Sequence, residues 1–587
     1  MRSHRLPWLV VALLHVGVSA QSQSPAPETG VVPTGEAEEV TVRLGEVQIL
    51  VTDKDGKAIR DLKVDEIEVR EAGEKRRIQS LEPFATRDIS SQVLPQPTPL
   101  VGQETAPSSD PVVVLPPPPI RRIVFLFDAF NSRTPDRAKW VEAARQWVKS
   151  EMRADDVLSV AYVSRGEVRI VLPWTSERIL IETTLSNSSF LDSIDYYDSV
   201  GEMKLLMSDL ETCDNSYDQA NCARNAAQPY IFEWRTRAET TIAALKRFAG
   251  SMLAIPGRKA VLYMSDGVVQ DAGEMALMAV LGKYGTDRID VSRLRSTLQR
   301  NVYQEIQALN RISSGSDVTF FTFDTRPSSR AEVAGSAEQR EYLSERMVAD
   351  PFQAMFTGTR GMLDSVAIGT GGRSYHGPQI LKSLPQAASA IEGLYTLTFY
   401  RDPSVGSDPK LKIKVSRRNT LVSFPDKFDP RRHKPLTLPL ELAVGKTRPY
   451  EDRWLMPVLI QLPLAPLPFN RDSDTKQHQL QLGIYGEADA PEGRRGGASY
   501  ELVNAALDDR QFDERVGKFF THTLEIKVVP GPYRLRVRIS DSNSKVSAER
   551  AIDITLLADG SVVPGIQKLG PNQEGGRESV APVSPGH

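Results

Sequence analysis

Between Ile120 and Ile391 the sequence alternates short apolar runs with stretches of helical period, and this alternation limits the fold more than any other feature. RRIVFLFD (121–128), VLSVAYVS (157–164), VRIVLPW (168–174), KAVLYMSD (259–266) and VTFFTFD (318–324) are rich in β-branched and aromatic residues and have the length of buried strands. Thr134-Pro135 opens a helix, with Thr as N-cap and Pro at the first helical position, and Trp140, Val141, Ala144, Trp147 and Val148 share one face of it. A helix from about Arg235 carries Ala238, Ile242, Leu245 and Phe248 on one stripe; others are expected over Arg293–Ile312, Ala354–Ile368 and Ile380–Ile391. Such alternation builds a mainly parallel sheet covered on both faces, and the hairpin at Arg165-Gly166-Glu167 adds one antiparallel edge strand. Residues 186–233 and 268–290 exceed ordinary connections and read as insertions in an α/β domain spanning 120–392.

The flanks follow other rules. Residues 40–84 alternate apolar and polar positions around turns at Asp53-Lys54-Asp55-Gly56 and Ala72-Gly73, which predicts a small antiparallel β-module. The strand-like runs LYTLTFY and KLKIKVSRR within 393–425 are expected to pack on that module, because neither segment has enough strands to close a core alone. Residues 434–557 carry several strand-like runs separated by turns and predict a β-sandwich. Residues 21–39 and 85–119 read as linkers, the second ending in Leu115 and four prolines; residues 558–587 read as a disordered tail. The fold class is therefore multidomain, α/β plus all-β.

The amino terminus has the three parts of a signal peptide over 1–20: Arg2, His4 and Arg5, then apolar Leu6–Val18, then small residues at Val18-Ser19-Ala20. The apolar run falls short of the ~20 residues a spanning helix needs, so the expected mature chain has no transmembrane segment and is secreted or periplasmic. In such a compartment Cys213 and Cys222 are expected to pair as a disulfide stapling a short loop, with metal ligation as the competing reading. A net charge of −3, from 72 basic and 75 acidic side chains, argues against nucleic acid as a partner.

Ligands of open α/β sheets bind beyond the carboxyl ends of the strands. There Asp128 and Asp266 leave neighbouring strands at one edge, within reach of one hard cation such as Mg2+. Ser132 and a threonine, Thr240 or Thr241, would complete an oxygen set. No G-x-S-x-G, H-E-x-x-H or phosphate loop occurs, and His376 stands without a nucleophile pattern, so no catalytic residue is assigned.

DAFNS, PGRKAVLYMSDGV and GTGGRSYH resemble the von Willebrand factor A (VWFA) domain, and more narrowly a bacterial VWFA-related family catalogued first in acidobacteria. The resemblance covers about Val40 to Phe424. It implies export and a VWFA-like, doubly wound, mainly parallel sheet flanked by β-sandwich-like domains. It also implies a metal-ion-dependent adhesion site of the pattern Asp-x-Ser-x-Ser, then Thr, then Asp. Asp128, Ser132, Thr241 and Asp266 match that pattern; Phe130 replaces the middle serine, and RTRAET replaces the expected glycine-rich loop. The site is thus partly degenerate, with water standing in for a missing hydroxyl or, alternatively, with no ion bound. The function expected is non-enzymatic binding of a protein partner, with Mg2+ in the crevice. A structural scaffold of an envelope assembly and a metal-dependent extracytoplasmic hydrolase are the alternatives. Asp128→Ala should abolish ion binding and spare the fold, because two unpaired carboxylates repel each other and removing one relieves that repulsion.

Overall fold

The computed structural model describes residues 43–83, 121–191, 199–285, 301–326, 351–425 and 436–565, apart from short breaks. The expected signal peptide, both linkers and the tail beyond 565 lie outside the described residues. Four strands open the described chain: β1 (Arg43–Asp53), β2 (Ile67–Glu71), β3 (Glu74–Arg76) and β4 (Ile78–Pro83). Six more belong to the α/β region: β5 (Arg122–Asp128), β6 (Val157–Ser164), β7 (Glu167–Thr175), β8 (Lys259–Met264), β9 (Val318–Asp324) and β10 (Ser374–His376). These six form one sheet in the order β10-β9-β8-β5-β6-β7. Every pairing is parallel except that of β7, which returns antiparallel beside β6.

β5, β8 and β9 are buried at every residue. Side chains alternate between the faces of a strand, so Ile123, Phe125 and Phe127 enter one core and Val124 and Leu126 another. The first face is covered by helices Thr134–Ser150, Arg178–Ser186 and Ile380–Ile391, through Trp140, Trp147, Ile181 and Leu384. The second is covered by helices Gln219–Ser251, Tyr303–Gly315 and Pro351–Gly369, through Ile242, Phe248, Leu309 and Leu363. A mainly parallel sheet with helices on both faces is therefore the centre of the molecule.

The helix expected from about Arg235 begins at Gln219 and runs for 33 residues. The Asp218 carboxylate caps it by accepting from Asn221 N, and Pro229 sits inside it on an exposed position. At ~1.5 Å per residue this helix is on the order of 50 Å long, against ~20 Å for β8. It ends at Ser251, close before the amino end of β8, so its first half overhangs the carboxyl edge of the sheet. The overhang packs with helices Ser199–Glu211 and Ala272–Tyr284 around a core of its own that includes Leu206, Leu210, Ala227, Trp234, Met275 and Val280. The two insertions thus combine into a helical cap. The Cys213–Cys222 disulfide, with Cα atoms 5.7 Å apart, staples its tip.

Three further strands, β11 (Leu394–Arg401), β12 (Leu411–Val415) and β13 (Thr420–Ser423), follow the α/β region. They share two sheets with the opening segment, ordered β13-β1-β11-β4 and β12-β2-β3. Val47, Ile49, Val69, Leu397, Phe399 and Ile413 fill the core between these sheets. Fully buried Glu71 bonds to Arg76 from one segment and Arg401 from the other, so its charge is compensated across the two.

The carboxyl-terminal region is a sandwich. A seven-stranded sheet holds strands His478–Asp489 and Gly531–Asp541, and a four-stranded sheet holds Arg453–Pro463 and Phe519–Val528. Val458, Ile484, Ile526 and Val537 meet between them. It docks on the second face of the α/β region, where Tyr500 OH lies 3.0 Å from Ser251 Oγ and Ser540 Oγ accepts from Ala254 N. The tail expected from 558 starts too early. Val562–Pro564 pairs antiparallel with strand Val546–Leu556, because Asp559-Gly560 turns the chain, with Gly560 at φ +82°.

Candidate functional site

Asp128 is the last residue of β5, Ser265 and Asp266 follow β8, and Thr241 faces them from the long helix. Asp128, Asn131, Ser132, Thr241, Ser265 and Asp266 are all buried at this carboxyl edge. Asp128 Oδ1 accepts from Asn131 N and Asn131 Nδ2, both at 3.0 Å. Asp128 Oδ2 accepts from Asn131 Nδ2 at 3.0 Å, Tyr263 OH at 2.5 Å and Ser265 Oγ at 2.6 Å. Asn131 Nδ2 also lies 3.0 Å from Thr241 Oγ1, so its two hydrogens are shared among three oxygens. Ser132 Oγ accepts from Asp266 N at 3.1 Å, and Ser265 Oγ accepts from Gly267 N at 2.8 Å. Burial pushes the Tyr263 phenol well above its ordinary pKa, and the neighbouring Asp128 charge adds to the shift; the hydroxyl is held as a donor.

A second layer rises from β9. Arg326 forks onto Asp324, with Nε 2.9 Å from Oδ1 and Nη2 3.0 Å from Oδ2, and Arg360 Nε adds a bond to Oδ2 at 2.7 Å. Burial alone would raise the Asp324 carboxyl, but the two guanidiniums outweigh it and hold it below the usual range. Arg326 Nε also stands 4.0 Å from Asp266 Oδ1, and its guanidinium lies over the Phe356 ring, which belongs to the core of the cap. Arg137 ties down the loop after β5 by donating to the carbonyls of Ser132, Leu191 and Ala129.

The four residues assigned to an adhesion site are therefore brought together. Of the two candidate threonines, Thr241 is the one in the crevice; Thr240 is half-buried beside Gly166. Phe130 packs into the second core with Arg237 4.5 Å over its ring. Asn131, Tyr263, Arg326 and Arg137 were not assigned from sequence. Asn131 alone had a visible signal, since it lies inside the matched motif.

Mg2+ takes oxygens at ~2.0–2.1 Å in near-octahedral geometry. Here the space between Asp128 and Thr241 holds an amide nitrogen at hydrogen-bonding distance from three oxygens, and a guanidinium faces Asp266. As placed, these residues do not fit the ion. Asp128 is also not the unpaired carboxylate on which the tolerance of Asp128→Ala depends: it is the acceptor at the centre of a buried hydrogen-bond network. No relay for nucleophilic chemistry is present among the described residues at this edge. Ser265 Oγ is bonded to Asp128, and at His376 both Ser374 Oγ and Asp364 Oδ1 approach the same nitrogen, Nε2, so the ring cannot pass a proton between them.

No family model matches the chain, and no curated protein matches it. Among solved structures, an aerotolerance-related membrane protein from Bacteroides fragilis NCTC 9343 is similar over 46% of this chain and 98% of its own, at 13% identity and a TM-score of 0.23. BatB from Bacteroides thetaiotaomicron matches over the same shares, at 13% identity and a TM-score of 0.22. The pilus adhesin SpaC from Lactobacillus rhamnosus GG matches over 77% of this chain and 70% of its own, at 8% identity and a TM-score of 0.23. TM-scores this low establish no common fold, so function is argued from this chain's own residues.

Proposed function

We propose that this is an exported, non-enzymatic protein-binding protein, with a VWFA-like α/β domain whose carboxyl edge and helical cap form the binding face. One observation carries the reading. The cap is packed inside and stapled by a disulfide, yet it exposes large apolar side chains: Tyr217 fully, Phe232 at 71% and Leu205 at 60%. Apolar and aromatic groups held out on an ordered element are what a protein partner buries. The VWFA-like assignment is supported by a parallel sheet with one antiparallel edge strand and by the convergence of Asp128, Ser132, Thr241 and Asp266. The disulfide supports an extracytoplasmic compartment, and no helix among the described residues is long and apolar enough to cross a membrane. The polar groups of the crevice are bonded to one another, and the Asp128 carboxylate beside Ser265 is already shared with Asn131 and Tyr263, which supports binding over catalysis.

Affinity capture from the native envelope fraction tests this. The wild-type protein should retain a specific protein, and the double variant Tyr217→Ala/Phe232→Ala should retain about tenfold less or lower, as for the loss of interface anchors. Equal retention by the variant, or no retained protein with the wild type, would contradict the proposal.

A further inference from the structure

We infer that the Asn131 amide takes the position a divalent cation would hold between Asp128 and Thr241, so that the carboxyl edge is a built-in, metal-independent site. The inference rests on the VWFA-like reading for the identity of the ligand set. Asn131 Nδ2 is 3.0 Å from each Asp128 oxygen and 3.0 Å from Thr241 Oγ1, a point equidistant from three oxygens that a metal would otherwise draw in. The orientation of the amide is dictated by the carboxylate: reversed, it would set Oδ1 against both Asp128 oxygens. The group keeps this orientation although Asn131 Oδ1 is then buried with no hydrogen-bond partner, which is a real penalty. The donors thus satisfy Asp128 at the expense of the amide's own acceptor.

The other carboxylates of the edge also have donors or cations of this chain beside them. Asp128 receives five contacts from Asn131, Tyr263 and Ser265, Asp324 is forked by Arg326 and bonded by Arg360, and Asp266 has the Arg326 guanidinium 4.0 Å away. A dication would have to displace a buried amide already bonded to Asp128 and Thr241, and it would meet the Arg326 guanidinium beside Asp266. Phe130 offers no hydroxyl at its position in the motif; its ring packs under Arg237.

Removing the amide should reopen a cation site, because Asp128, Ser132, Thr241 and Asp266 remain. The experiment measures melting temperature and calorimetric heat in EDTA, and then with millimolar Mg2+ or Mn2+, for the full-length protein and two variants. The wild type should show the same melting temperature in EDTA and in Mn2+, and no heat. Asn131→Ala keeps the backbone donor to Asp128; it should melt lower in EDTA and recover with Mn2+. Asn131→Asp places a third carboxylate there; it should be strongly destabilised in EDTA and rescued further by Mn2+. A Mn2+-dependent rise or binding heat in the wild type would overturn the inference. So would variants that lose stability but ignore Mn2+, since the amide would then be a structural bond only. Neither of these results bears on whether a partner is retained through Tyr217 and Phe232, so failure here and failure of the binding proposal are read separately.

Discussion

Asp128 gathers more of the carboxyl edge than any other side chain, and its loss should be felt in stability. Asp128→Ala leaves the Tyr263 and Ser265 hydroxyls and the Asn131 backbone N–H buried without their acceptor, and the Asn131 amide with Thr241 alone. Each orphaned donor costs about 1–3 kcal/mol, so a loss on the order of 3 kcal/mol or more is expected from urea unfolding. An unchanged midpoint would show that the network contributes nothing. Tyr263 gives a pH signature. Its folded pKa lies well above the ordinary value, so the folded state holds its proton where the unfolded chain releases it. The stabilisation is complete below the unfolded pKa of about 10 and is lost as pH rises beyond it. Tyr263→Phe should therefore lose about 1.5–3 kcal/mol at neutral pH, the value of a hydrogen bond to a charged acceptor, and show a shallower alkaline decline than the wild type. Parallel declines would contradict the assignment. The sequence showed Asp128, Ser132 and Asp266 because strand ends announce themselves. It hid Tyr263, which reads as one more aromatic in an apolar run until its hydroxyl is seen against a residue 135 positions away.

At the scale of elements, the strands were legible where burial on both faces leaves an unbroken apolar run, as in β5, β8 and β9. The cap was not. Pro229 reads as a helix stop, yet its exposed position inside the long helix lets the chain continue past it, and the true start is the Asp218 cap. The insertions also have no periodicity that reveals a shared core, because that core is assembled from separate stretches of chain. The disulfide spans nine positions, a short loop whose closure is worth about 2–3 kcal/mol in the chain-entropy account. Reduction should loosen the cap alone. Hydrogen exchange should quicken along helix Ser199–Glu211 and the first half of Gln219–Ser251, while β5 and β8 amides keep their protection. Equal loss of protection in the central sheet would mean that the cap and the sheet open as one unit.

On the scale of the whole molecule, the composite β-domain joins segments that the entire α/β region separates. The sequence hinted at this only by what each segment lacked, since a register between β1 and β11 leaves no local trace. Deleting residues 43–83 removes β1 from between β11 and β13 and β2 from beside β12. The remainder should expose Leu397, Phe399 and Ile413 and aggregate; a monomer with an unchanged melting temperature would contradict the shared core. In the proposed function, the binding face has a polar floor already bonded to itself and apolar contacts on the cap. The central claim is that this face holds a protein partner without a metal. Capture from the envelope fraction, run side by side in EDTA and in millimolar Mg2+, tests it most directly. The same protein should be retained in equal amount under both conditions, and retention that disappears in EDTA would contradict the account.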